Sequence, residues 1–170
     1  MVRYQHRFEH VEDYLHHRPP YLMIDSIDQI AGRVVVATKR LRGDEFFLQG
    51  HFPGAPVVPG AILQEMTTQA AGVLIAANFN PMEQYDTHDP LANEFALGVL
   101  VKVKHSRFRH FARPGDTLTV TAKLIEQLGN VFDFAGKVTL GDEPLMTNAF
   151  QLINIPSRNL QAMANPLDAF

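Results

Sequence analysis

GHFPGAPVVPGAILQEMTTQA, from Gly50 to Ala70, is the stretch of this chain that decides its fold. Its first half is punctuated by glycine and proline, which predicts a rigid loop. Its second half opens a run from Ala61 to Ala77 that contains no proline, lysine, arginine or aspartate. Because helix formers dominate this run and it is apolar on most of its circumference, we predict a helix buried inside the domain.

Upstream of this stretch, the pattern predicts one short amphipathic helix and two strands. The helix is predicted by apolar residues that recur at spacings of four and three: Tyr4, Phe8, Val11 and Leu15. We interpret His16-His17-Arg18 as its end, and Pro19-Pro20 stops it, because proline cannot continue a helix. The apolar run at 21–25 and the β-branched run at 34–38 predict strands.

Downstream, residues 78–94 are polar and aperiodic and hold two prolines, which predicts a long loop. Strands separated by turn signals are predicted near 95–104, 116–127, 131–140 and 145–154. A buried helix followed by a run of antiparallel strands indicates an α+β domain, with the sheet wrapped around the helix. We expect a single domain over 1–156, with 78–94 as a loop insertion, and a loosely attached tail over 157–170.

Composition narrows the function classes. The chain has 170 residues, of which 46% are hydrophobic and 19% charged, as expected of a globular protein. The net charge of -3 provides no whole-chain reason to expect nucleic acid or an anionic membrane as partner. Absence of cysteine excludes thiol catalysis and thiolate zinc sites. With no signal-peptide pattern at the start, a cytoplasmic location is expected.

The loop and the helix each supply one residue suited to proton transfer. His51 can take or give a proton near neutral pH, and Glu65 is the only ionisable side chain between Ala61 and Ala77. Taken singly, a loop histidine or a helix glutamate is more often an ordinary surface residue. A lone carboxylate in an apolar helix, however, requires a reason, and apolar surroundings would favour the neutral form that a general acid needs.

The motifs themselves resemble one family. GHFPGAPVVPG followed by AILQEMTTQA is similar to the signature of FabZ-type 3-hydroxyacyl-acyl carrier protein dehydratases, which belong to the FabA/FabZ family of hot-dog-fold proteins. HHRPPYLMIDSI at 16–27 resembles the family's stretch after its first helix, and SRFRHFARPGD at 106–116 resembles its strand and turn before the closing hairpins.

The resemblance implies roles for five residues. His51 matches the family's catalytic histidine and Glu65 its catalytic acid, and this glutamate is typical of the FabZ branch rather than the FabA branch, which has aspartate. The amide of Gly60 matches the donor to the thioester carbonyl. Gln69 matches a residue that supports the carboxylate, and the carbonyl of Val57 lies where the imidazole would be oriented.

The resemblance also implies the reaction and the assembly. The reaction would be dehydration of (3R)-3-hydroxyacyl thioesters on acyl carrier protein to trans-2-enoyl thioesters, in fatty-acid or related acyl-chain biosynthesis. No metal or redox cofactor would be needed, and phosphopantetheine would arrive with the substrate carrier. Histidine and glutamate of one site would come from different subunits, so the implied unit is a homodimer, with a trimer of dimers as a larger assembly.

Several alternatives stay open at the level of sequence. A basic run is interpreted either as a docking patch for an acidic carrier protein or as a solvated strand face: Lys102, Lys104, Arg107, Arg109 and Arg113. A hot-dog acyl thioesterase would use the carboxylate to activate water, and a non-catalytic acyl-binding subunit would need neither residue. The long 78–94 loop and the threonines of EMTTQ depart from the family pattern, and acyl chain length stays undetermined.

Overall fold

The structure is a computed structural model that describes residues 2–89 and 93–161, without the side chains of 160 and 161. Three α-helices are present in these residues: α1 (Val11–Tyr14), α2 (Gly60–Asn78) and α3 (Arg158–Gln161). A short 3-10 helix covers Phe46–Leu48. The strands are β1 (Ser26–Ala31), β2 (Val34–Arg40), β3 (Phe95–Phe108), β4 (Thr117–Leu128), β5 (Val131–Leu140) and β6 (Glu143–Pro156).

The six strands form one antiparallel sheet in the order β1-β2-β4-β5-β6-β3. Strands β4, β5 and β6 alternate buried and exposed residues, because one face packs on α2 and the other faces outward. The buried face contributes the three fully buried aromatic rings Phe132, Phe134 and Phe150. This arrangement confirms the predicted α+β architecture of a sheet around a buried helix.

Helix α2 is the centre of the core, as its composition predicts. All its residues from Met66 to Ala77 are buried. At Gly98 the backbone of β3 comes so close to α2 that an added Cβ would lie 3.2 Å from the Cα of Gly72. Gly98 also has a φ of +70°, so two glycines are needed for this helix–strand contact.

The predicted N-terminal helix is wrong over most of its length. Only Val11–Tyr14 is helical, and the preceding segment is extended. The amides of Tyr4 and His6 donate to the carbonyls of Asn80 and Ala77, at 2.8 and 2.9 Å. The carbonyls at the end of a helix have no partner within that helix, and the amide of His6 satisfies one of them in the last turn of α2. The amide of Tyr4 bonds to the chain just beyond the helix. Tertiary hydrogen bonds therefore outweigh the helical spacing of the apolar residues.

The run at 21–25 is extended but does not join the sheet as predicted, because β1 begins only at Ser26. Its backbone amides bond instead to α2 and to β2. The amide of Met23 donates to the side chain of Gln69 at 2.8 Å, and the amide of Asp25 donates to the carbonyl of Thr38 at 2.8 Å. The segment is therefore held by α2 at its start and by β2 at its end, without forming a strand of its own, and its contact with α2 matters for the site described below.

The described part of the 78–94 loop is irregular, as predicted, and is firmly attached to the N-terminal segment. Tyr85 donates to the carbonyl of Tyr14 at 2.7 Å, and its ring packs among His6, Phe8 and His16. Residues 162–170 of the predicted tail lie outside the described part of the chain, so the domain boundary at 156 stays a prediction. Among the described helices, none is both long and apolar enough to cross a membrane.

Candidate active site

The loop before α2 holds the imidazole of His51 in a defined orientation. Its Nδ1 lies 2.9 Å from the carbonyl oxygen of Val57, and the amide of Val57 donates to the carbonyl of His51 at 2.9 Å. Since a carbonyl oxygen can only accept, this bond requires the ring proton on Nδ1. The neutral ring then carries its lone pair on Nε2, which is the form of histidine that acts as a base.

His51 lines a cavity of about 380 Å³ at the start of α2. The other walls include Phe52, Gly60, Leu63 and Phe108. At Gly60 an added Cβ would lie 2.9 Å from the ring of Phe108, so glycine lets that aromatic ring pack against the first turn of the helix. The cavity therefore combines apolar walls with a helix N-terminus and one base.

The first turn of α2 leaves amide groups available at this cavity. The amides of Ile62 and Leu63 both donate to the carbonyl of Pro59, at 2.9 and 3.3 Å. The amide of Gly60 has no acceptor within residues 2–89 and 93–161. A helix N-terminus also carries partial positive charge, so this amide suits an oxygen that gains negative charge.

Glu65 lies on α2 in mostly buried surroundings, with its side chain 17% exposed. Gln69, one turn further, donates to Oε1 of Glu65 at 2.9 Å. Gln69 is itself fixed, because it donates to the carbonyl of Tyr21 and accepts from the amide of Met23, both at 2.8 Å. Burial raises the pKa of Glu65 above its usual value, and the hydrogen bond from Gln69 opposes part of that rise.

The sequence-based interpretation missed one neighbour of Glu65. His17 was assigned to a helix end, but α1 ends at Tyr14 and Nε2 of His17 lies 3.8 Å from Oε1 of Glu65. The sequence signal for this neighbour is the HHRPPYLMIDSI motif at 16–27, which contains His17. Nothing in its composition indicates that this segment crosses α2 at the carboxylate.

Within one chain, the described residues do not bring His51 and Glu65 into contact. His51 faces the cavity at Gly60, whereas Glu65 faces the 16–25 segment, and no hydrogen bond or ion pair joins the two among the described side chains. The structure therefore places the two predicted catalytic residues in separate polar environments of the same chain.

The two threonines of EMTTQ are buried and fully bonded. Thr67 and Thr68 both donate to the carbonyl of Gln64, at 2.7 and 3.0 Å. Asn148 of β6 donates to Thr67 and to the side chain of Gln64, and Ser106 of β3 also donates to Gln64. These polar residues therefore tie α2 to the two strands β3 and β6.

The predicted basic run divides into two environments. Lys104 forms an ion pair of 2.5 Å with Asp133 on the outer face of the sheet. Arg109 instead lines the cavity with His51 and donates to Thr147 at 3.0 Å. Arg113 lies 5.4 Å from the centre of the Phe111 ring, which lines the same cavity. Only the second half of the run is therefore close to the candidate site.

Comparisons with known proteins show the family of the chain. The family model of the FabA-like domain matches residues 15–148, and the chain therefore belongs to the FabA-like family. A relative named 3-hydroxyacyl-[acyl-carrier-protein] dehydratase FabZ, from Coxiella burnetii, is 33% identical over 134 residues, which are 78% of this chain and 88% of the relative. Within the family, the chain is a dehydratase of the FabZ type, as its motifs predicted.

Solved structures show the same hot-dog fold. A chain of the dehydratase heterocomplex ApeI:P from Xenorhabdus doucetiae superimposes with a TM-score of 0.73 at 22% identity, covering 94% of this chain and 99% of that one. A hypothetical thioesterase from Streptococcus pneumoniae superimposes with a TM-score of 0.55 at 13% identity, over 77% of this chain and 85% of that one. At these identities the likeness shows the fold alone, so the thioesterase alternative gains nothing from it.

Proposed function

We propose that the protein removes water from (3R)-3-hydroxyacyl thioesters carried on acyl carrier protein, in fatty-acid or related acyl-chain biosynthesis. The observation that carries the proposal is that the chain provides two proton-transfer groups, one held as a base and the other favoured as an acid. The Val57 carbonyl leaves Nε2 of His51 free as a base, while burial favours the neutral, proton-donating form of Glu65. An elimination needs both a base and an acid.

The reaction would proceed as follows. Nε2 of His51 removes a proton from C2 of the acyl chain, and the amide of Gly60 stabilises the negative charge that develops on the thioester oxygen. Glu65 donates its proton to the departing 3-hydroxyl group, which leaves as water, and the C2–C3 bond becomes a trans double bond. Each proton and electron pair is accounted for, so the step requires no metal or redox cofactor, and phosphopantetheine arrives with the carrier.

We further propose a homodimer in which each site combines His51 of one copy with Glu65 of the other. Two observations support it: the two residues do not meet among the described residues of one chain, and β3 is an edge strand of 14 residues whose one partner among the described strands is β6. On β3 the side chains of Leu100, Val101 and Val103 are exposed by 37%, 54% and 45%, which is unusual for an edge strand facing water. A trimer of dimers is the larger assembly that the family resemblance implies.

Carrier docking is proposed for Arg109, which lines the cavity, and for Arg113, which lies over the ring of Phe111 in the cavity wall. Arg107, which precedes them on β3, is proposed with them. Lys102 and Lys104 are assigned to the outer sheet face instead, where Lys104 is already paired with Asp133. Positive charge at the cavity mouth would steer an acidic carrier towards the site. We further propose a cytoplasmic location, in keeping with the similarity of the chain to FabZ-type dehydratases.

The test is ultraviolet-monitored hydration of crotonyl thioesters, on carrier protein and on coenzyme A, with free thiol followed in the same samples. We expect His51→Ala and Glu65→Ala each to lose activity by about 10²–10⁴-fold. His10→Ala and Glu126→Ala, which change exposed residues of the same types, should retain wild-type activity. Thiol release that survives in His51→Ala would replace the proposal by a thioesterase, and inactivity of the wild type on every substrate would replace it by a binding subunit.

Complementation tests the shared site. If His51→Ala and Glu65→Ala are co-expressed, half of the dimers are mixed, and each mixed dimer has one site with both residues intact. About one quarter of wild-type activity should therefore return. No recovery in co-purified mixed dimers would mean that both residues of a site come from the same chain.

A further inference from the structure

The two oxygens of the Glu65 carboxylate have different surroundings. Oε1 accepts from Nε2 of Gln69 at 2.9 Å and lies 3.8 Å from Nε2 of His17. Oε2 has no hydrogen-bond partner in the part of the chain that the structure describes. Donors on one oxygen stabilise negative charge there, so the proton of neutral Glu65 belongs on Oε2, the oxygen free to face a substrate.

His17 is held in place by its ring and by its backbone. The ring stacks on Tyr21 with a centroid distance of 6.0 Å and an angle of 22°, and Tyr21 in turn stacks on Phe46. The neighbouring Arg18 donates to the carbonyl of His17 at 2.8 Å, to that of Leu15 at 2.7 Å and to that of Thr87 in the 78–94 loop at 2.9 Å. The imidazole therefore has little freedom to turn away from Glu65.

The surroundings of His17 also identify its tautomer. Nδ1 is buried and has no hydrogen-bond partner within the described residues. An unpaired lone pair is tolerated better than an unpaired buried N–H, so the proton of the neutral ring lies on Nε2, the nitrogen that faces Glu65. Burial, reinforced by the charge of Arg18, lowers the pKa of His17, which keeps the ring neutral at neutral pH.

We propose that His17 is a positioning residue for the general acid: its Nε2–H, together with Gln69, holds Oε1 of Glu65 and directs the acidic proton to Oε2. The inference rests on the proposed dehydratase function. The present separation of 3.8 Å is longer than a hydrogen bond, so in the resting site the contact is electrostatic. Once Glu65 has given its proton to the leaving hydroxyl, its carboxylate is negatively charged and attracts the Nε2–H of His17. A small movement of the two side chains towards each other then forms a hydrogen bond between Nε2 and Oε1.

In the proposed dimer, His51 of the other copy faces the carboxylate of Glu65. Among the described residues of its own chain, the titratable groups that face this carboxylate both come from the segment packed across α2. They are His17 and Tyr21, whose pKa is raised first by burial and then by the charge of Glu65. Arg18 is adjacent, but its guanidinium is bonded to the backbone carbonyls of Leu15, His17 and Thr87. A change in the titration of Glu65 can therefore be assigned to His17 by substituting that residue alone.

The test compares His17→Phe with His17→Gln. Phenylalanine keeps the stack on Tyr21 but removes the N–H, so we expect kcat for hydration of carrier-bound crotonyl thioester to fall about tenfold with KM little changed. The ¹³C NMR titration of the Glu65 carboxyl group, assigned with Glu65→Gln, should move to higher pH. In His17→Gln, the side-chain amide can place an N–H close to the position of the His17 Nε2. This variant should therefore recover most of the loss in kcat and most of the shift in the Glu65 titration.

His16→Phe is the matched control, because His16 contacts Asn93 and Tyr85 rather than Glu65. It should retain the wild-type kcat and carboxyl titration. Equal impairment of His17→Phe and His17→Gln, or an unmoved titration in His17→Phe, would overturn the positioning role. The NMR titration does not depend on turnover, so it separates this result from a wild-type protein that fails to hydrate enoyl thioesters, which would instead refute the proposed function.

Discussion

Replacement of Gln69 by leucine should weaken both the fold and the acid of the site. Gln69 is 1% exposed and makes three hydrogen bonds, to Tyr21, Met23 and Glu65. Leucine fills a similar volume, so the principal loss is the buried Met23 amide left without an acceptor, which costs about 1–3 kcal/mol. The Tyr21 carbonyl belongs to a residue 48% exposed and can bind water instead, so it adds little. We expect a loss of about 2 kcal/mol in the free energy of unfolding.

The second effect of Gln69→Leu concerns the carboxylate. Because the Gln69 hydrogen bond lowers the pKa of Glu65 against the effect of burial, its removal should move the Glu65 titration further upward. Urea unfolding followed by circular dichroism, at one fixed protein concentration, measures the first effect, and ¹³C NMR of the carboxyl group measures the second.

Gln29→Leu, on exposed β1, serves as the control and should change stability by less than about 0.5 kcal/mol. If Gln69→Leu matched this control and left the Glu65 titration in place, the three bonds would contribute nothing. The reasoning that links the 21–25 segment to the acid would then be refuted.

Two further outcomes follow from the structure. The pKa of Glu65 is raised in the folded state, so its neutral form stabilises the fold below the unfolded pKa, near 4.5, and this contribution is lost as pH rises through the folded pKa. Glu65→Gln should therefore be more stable than the wild type at pH 7.5, and the difference should shrink at pH 4. Denaturant unfolding at both pH values measures the free energy of unfolding of each protein. A difference between variant and wild type that is the same at both pH values would contradict the prediction that burial of the charge destabilises the fold. At Gly136 an added Cβ would lie 2.1 Å from Oδ1 of Asn148, so Gly136→Ala should lose about 2–3 kcal/mol, of which Asn148→Ala in the same chain should recover part. Simple additivity in that double-mutant cycle would contradict the predicted clash.

The two candidate catalytic residues are held in place in different ways. His51 is oriented within its own loop, by a carbonyl six residues away in sequence. Glu65 is supported by Gln69 one turn along the helix, but Gln69 depends on a segment 46 and 48 residues away. The base is therefore a local structure, whereas the acid depends on the correct packing of the chain before β1.

Local patterns explain why much of the fold was predictable. Residues 61–77 contain no proline and one ionisable side chain, and this composition alone distinguishes the buried helix from its flanking loops. The observed ends, Gly60 and Asn78, each lie one residue beyond that run. Alternation of burial with period two made β4, β5 and β6 recognisable for the same reason. The errors fall where a segment satisfies its hydrogen bonds elsewhere in the molecule, as at Tyr4 with Asn80.

By itself, the sequence determined the buried helix, the antiparallel strands, the loop that carries His51 and the single acid of α2, because each depends on residues that are close together in the chain. Only the tertiary structure decided that the 16–25 segment lies across α2, that His17 faces Glu65 and that the 78–94 loop is fastened to Arg18. These contacts join residues about 48 and 69 positions apart. Their geometry depends on how the helix, the sheet and the N-terminal segment share hydrogen bonds once packed, and no local pattern contains that information.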